Sequence, residues 1–129
     1  MKSSQLAVVV EEIPEKCDAR RGRAFLDELE SHIVNLVRPA VVLDCSRVDR
    51  ADKPLVYLLL SCLEEVLKRN GDVRLAGIHP EVWSALEAAG LGRLFQPFPS
   101  SAEAVNSFSR PASGLRTMLY PDRRAADAA

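Results

Sequence analysis

The stretch Ala40–Leu67, AVVLDCSRVDRADKPLVYLLLSCLEEVL, reads as a strand, a loop and a helix in direct succession, and that succession decides the class of fold. Ala40 to Leu43 is a continuous apolar run, the pattern of a strand covered on both faces, so helices are expected above and below its sheet. The loop DCSRVDRADKP sets Asp44, Asp49 and Asp52 against Arg47, Arg50 and Lys53. Pro54 suits the first turn of a helix, where a missing N–H costs nothing. From Leu55 to Arg69 that helix carries Leu55, Val56, Leu58, Leu59, Leu60, Cys62, Leu63, Val66 and Leu67, and should be largely buried. Glu64, Glu65, Lys68 and Arg69 mark its wet end, and Asn70-Gly71 supplies a left-handed stop.

Outward from this unit the same alternation repeats. Upstream, Leu6 to Val10 is a short β-branched run expected to form a strand, broken by Pro14. Between Ala19 and Val37 the residues Phe25, Leu26, Leu29, Ile33, Leu36 and Val37 recur at three- and four-residue steps, one face of a helix that Pro39 must stop. Downstream, Val73 to Gly77 alternates as a strand. Pro80 opens a helix with Val82, Trp83 and Leu86 inward, and Gly90 closes it. Leu94 to Phe98 is expected as a last strand. Ser100-Ser101-Ala102-Glu103 then has the spacing of a capping box for a helix reaching about Phe108. The predicted fold is α/β: about four strands in a mainly parallel sheet, right-handed crossovers and four interleaved helices over residues 1–108. Residues 109–129 lose this periodicity and carry four arginines against two aspartates. They are expected to form a flexible tail, with a short docked piece around Leu115 to Tyr120 as the alternative.

Composition excludes several functions. The 129 residues are 47% hydrophobic and 27% charged, with a formal net charge of −1, so no overall field draws the chain to nucleic acid. The apolar run near the start is too short to span a membrane, which predicts no membrane insertion. Cys17, Cys45 and Cys62 are dispersed and form no metal-ligand pair, as expected of reduced thiols in a cytoplasmic protein. No glycine loop for a nucleotide and no serine elbow is present, so neither a cofactor nor catalysis is expected. His32 reads as a surface or partly packed side chain, His79 as a turn residue before Pro80, and Cys45 as a packed thiol with no histidine near it in sequence.

The loop and the segments downstream of it resemble a known family. An aspartate–apolar–serine–x–valine run ahead of a second aspartate and an apolar helix looks like the centre of the STAS domains of anti-sigma factor antagonists and sulfate-transporter tails. The likeness continues through Gly71, Val73, Leu75, Gly77 and Pro80 to Leu86. It is strongest in Gly90-Leu91-Gly92-Arg93-Leu94-Phe95 and in Ser101-Ala102-Glu103-Ala104, and it covers about residues 6 to 108. Asp18 sits where many members have an aspartate at the start of the first helix.

The resemblance implies a non-catalytic regulatory module that docks a protein partner, such as a serine-kinase anti-sigma factor or another signalling subunit, by the loop and the start of the second helix. It implies the docking residues Asp18, Arg47, Asp49, Arg50, Asp52, Lys53 and Pro54. In the family, phosphorylation of a serine just after the loop aspartate abolishes docking, because phosphate adds roughly −1.5 to −2 charges to the interface. Here Asp-Ser-Ser-Gly-Leu is replaced by Asp52-Lys53-Pro54-Leu55-Val56, so Lys53 stands at the serine position and that switch is expected to be absent. Two alternatives remain: a STAS subunit bracing the ATPase of a lipid-transport ABC system, and a small-ligand sensor. Too few residues precede Leu6 for the family's additional first strand, so Leu6 to Val10 is expected as an open edge that permits homodimerisation.

Overall fold

The computed structural model describes residues 7–109. The expectations for Leu6 and for the 110–129 tail lie outside the described residues. Eight elements follow in strict alternation: β1 (Val8–Glu12), α1 (Ala19–Ile33), β2 (Ala40–Asp44), α2 (Lys53–Leu67), β3 (Asp72–Ala76), α3 (Pro80–Ala88), β4 (Gln96–Phe98) and α4 (Ser101–Ser109). The sheet order is β1-β2-β3-β4 and every pairing is parallel, with Val9, Val41 and Val73 in register. This is the α/β architecture that the alternation predicts.

Strand order also explains where the helices lie. Each crossover adds the next strand on the same side, and right-handed crossovers of that kind put all their helices on one face. Accordingly Leu29 and Ile33 of α1, Leu55, Leu58, Leu59 and Cys62 of α2, and Val82 and Leu86 of α3 join one core with Val41, Leu43, Val73 and Leu75. Helix α4 comes after the last strand and is free of that rule. It covers the other face, where Ala104 packs on Val42 and Ala76. Helices do lie above and below β2, but as three against one.

Several boundaries differ from the sequence expectation. Helix α1 stops at Ile33, short of Val37, because the chain must turn back to Ala40. Leu36 N–H donates to Ile33 O, and Arg38 takes a left-handed φ of 54° before Pro39. Helix α2 begins at Lys53, two residues early, because Asp52 caps it. Only three residues of the last expected strand pair with β3; Gly92–Leu94 forms a 3₁₀ turn and Phe95 drops into the core. Helix α2 is buried on one side only: Tyr57 is 73% exposed and Leu67 also faces out. Gly71 is required where α2 returns to the sheet, since a Cβ there would lie 2.2 Å from the Pro39 carbonyl oxygen.

Candidate functional site

The loop between β2 and α2 leaves the carboxyl edge of a central strand, flanked by the turn after β3. Its first half is rigid for local reasons. Asp44 accepts from Ser46 N–H at 2.9 Å with one carboxylate oxygen and from Ser101 Oγ at 3.2 Å with the other. Cys45 N–H donates to Ala76 O, Val48 N–H donates to Cys45 O, and both side chains are buried. Gly77, with φ +66°, lets the β3–α3 turn close against this loop, for a Cβ there would meet Ser46 Cβ at 3.2 Å. His79 bonds the Ser46 carbonyl oxygen through Nε2 at 3.0 Å, the turn position expected for it. Burial pushes the Cys45 thiol up to about 12, so it stays protonated at neutral pH, as a packed thiol should.

The second half of the loop faces outward and carries the charges. Arg47, Asp49, Arg50, Asp52, Lys53 and Pro54 are all exposed. Asp52 accepts from Leu55 N–H at 3.1 Å and Asp18 accepts from Arg21 N–H at 2.7 Å, so both aspartates cap helices. Two helix N-termini thus open side by side, and a concavity of about 410 Å³ lies between them. Asp18, Asp49, Arg50 and Asp52 line it together. Lys53 and Pro54 instead line a neighbouring groove between α1 and α2, which Asp18 also borders. Arg47 is brought to neither; its guanidinium faces Glu12 at 3.8 Å.

Sequence reasoning missed two residues of this region. Cys17 sits in the concavity, half-buried, with its thiol raised by burial and by the carboxylates of Asp52 and Asp18. Tyr57 lines the groove, and the one available signal was an aromatic alcohol within a run of leucines. Among the described residues, no group of acids, histidines and cysteines could hold a metal ion. No helix among them is long and apolar enough to cross a membrane.

The model of the STAS domain matches residues 4–104. The chain belongs to the STAS domain family. Solved structures of the same fold include a putative anti-sigma factor antagonist from Thermotoga maritima (17% identity, TM-score 0.66), with 82% of this chain and 92% of that one covered. The anti-sigma factor antagonist SpoIIAA in its unphosphorylated form is 18% identical, with a TM-score of 0.66 over 84% of this chain and 93% of its own. The STAS domain of a SulP transporter from Vibrio cholerae is 20% identical, with a TM-score of 0.62 over 81% and 80%. At these identities the likeness establishes the fold. No curated protein matches the chain. STAS membership is what the resemblance in the loop and the Gly90–Phe95 segment implied.

Proposed function

We propose that this STAS domain is a non-catalytic regulatory module that docks a protein partner through the outer half of the β2–α2 loop and the paired starts of α1 and α2. The observation that carries this reading is the exposed Lys53-Pro54 at the first turn of α2. Lys53 places a fixed cation at the helix terminus whose free N–H groups already form its positive end. Such a surface suits a partner that presents carboxylates, and it offers no hydroxyl for phosphate at Lys53. Binding is therefore constitutive at this position, where a serine would allow it to be switched. The partner class is an anti-sigma factor or another signalling subunit, and the protein works without a cofactor in the cytoplasm.

The test is affinity purification of the full chain, identification of the co-purifying protein, and repetition with Lys53→Glu and Arg50→Glu. Each reversal should weaken capture of the same partner about tenfold or more, the scale of a 1.4 kcal/mol loss per charge pair. Undiminished capture by both variants would overturn the surface assignment.

A further inference from the structure

Helix α1 carries its charges in the order that a helix disfavours. Arg20, Arg21 and Arg23 occupy its start and Asp27, Glu28 and Glu30 its later turns, with no acid in the first turn. The dipole of a helix favours the reverse, acids at the start and bases at the end. Arg20, Arg23 and Asp27 are exposed and make no ion pair among the described residues that would offset this.

The neighbouring helix follows the same polarity. Helices α1 and α2 run side by side in one direction, capped at their starts by Asp18 and Asp52, with Glu30 facing Arg69 at 3.9 Å at their ends. The start half of this face carries Arg20, Arg21, Arg23 and Lys53 against Asp18 and Asp52, four cations against two acids, a net +2. The end half carries Lys68 and Arg69 against Asp27, Glu28, Glu30, Glu64 and Glu65, two cations against five acids, a net −3. The segregation therefore survives when the internally paired Arg21, Lys68 and Arg69 are counted. Between the two helices lies a groove of about 680 Å³, lined along its middle by Gly22, Leu26, Tyr57 and Leu58.

This pattern is the complement of its own reverse. Arg20, Arg23, Asp27 and Glu30 are spaced by three, four and three residues, so they share one exposed stripe of α1. Two such helices laid antiparallel about a twofold axis at position 25 set Arg20 opposite Glu30 and Arg23 opposite Asp27. Each contact then occurs twice, as an interface between identical chains requires.

We propose that the α1–α2 face is a twofold interface on which α1 of a second copy lies antiparallel along the groove, its charge stripe matched end to end and Tyr57 covered. Exposed ion pairs fix direction more than affinity, so the dimer is weak and sensitive to salt. Because Lys53 borders the groove, the dimer also covers one of the residues proposed to dock a partner. That last consequence rests on the proposed docking function; the dimer does not.

Sedimentation equilibrium of the full chain, with no partner present, tests it. The wild type should dimerise reversibly at low salt, and several-fold more weakly as salt rises from about 0.05 to 0.5 M. Arg23→Glu and Asp27→Arg each turn two attractive contacts per dimer into repulsive ones, so each alone should weaken the dimer about tenfold or more. An equimolar mixture of the two variants should dimerise as the wild type does, and so should the double variant, because acid again meets base across the axis. Neither change disfavours α1 itself, since each moves the helix toward the charge order its dipole prefers. A wild type that stays monomeric up to millimolar concentration at low salt would overturn the proposal. So would a dimer indifferent to both reversals, which would move the interface elsewhere, or weakened single variants that do not recover when mixed. These variants leave Arg50 and Lys53 intact and the assay holds no partner, so this reading and the docking function fail separately.

Discussion

The two faces of the sheet are built on different principles. On the α1–α3 face, eighteen buried side chains form one continuous core, and its cohesion is area removed from water. On the α4 face, among the described residues, three side chains are fully buried, Val42, Ala76 and Ala104, two of them alanine, with the partly buried Val8, Phe98, Val105 and Phe108 packed against them. What holds the thin face is directed contact at both ends of α4. Ser101 Oγ donates to Asp44, and Ser100 Oγ accepts from Glu103 N–H at 3.2 Å, one half of the expected capping box. At the other end Arg74 donates to Ser107 Oγ at 2.9 Å, lies 4.1 Å over the Phe108 ring and pairs with Asp72. A nine-residue helix is too short to persist alone, so these contacts complement a small apolar area. The lesson is that crossover handedness loads one face with helices, and the other must be closed by the chain beyond the last strand.

Three substitutions probe that contrast. The largest effect belongs to the thick face: Leu59→Ala should destabilise the domain by about 2–5 kcal/mol in denaturant titration, because a cavity opens amid fixed neighbours. Arg74→Ala should cost about 1–2 kcal/mol, from a mostly buried cation–π contact, the hydrogen bond to Ser107 and a pair with the exposed Asp72 that adds little. Its signature is early loss of amide protection in α4 with α1 and α2 unaffected. A loss spread evenly over both faces would erase the distinction.

The smallest effect is a pH dependence at the rim of the thick face. His32 Nδ1 bonds the Glu11 carboxylate, and that hydrogen bond and charge raise the imidazole above its ordinary value of 6.5. A raised folded-state value means the contact stabilises fully below the unfolded value and is lost as pH climbs through the folded one. The stability difference between wild type and His32→Gln should therefore shrink as pH rises from about 6 toward 8. A difference that grows over that range would reverse the assignment.

Much of the fold was legible because apolar periodicity and chain-breaking residues are local signals. Pro54 and Pro80 mark helix starts, Asn70 adopts φ 60° before Gly71, and Gly90 adopts φ 83° after α3. Less of the candidate site could be read. The loop residues were named from a motif, but their division was hidden: Asp18, Asp49, Arg50 and Asp52 share one concavity while Lys53 and Pro54 turn to another. Asp18 and Asp52 are 34 positions apart in the chain, and only parallel packing of α1 beside α2 sets their helix starts together. Arg47 was grouped with its sequence neighbours, yet Glu12 on the edge strand draws it away.

By itself, then, the sequence determined the order and kind of the elements, the buried central strand and the Lys53-Pro54 pair at the start of the second helix. Those come from side-chain chemistry and spacing, which act over a few residues. Tertiary structure alone decided that three helices share one face, that Tyr57 turns outward from an apolar helix, and that two capped helix starts enclose a common surface. Each of these depends on which residues far apart in the chain are made neighbours by strand order and packing, and no local pattern encodes that.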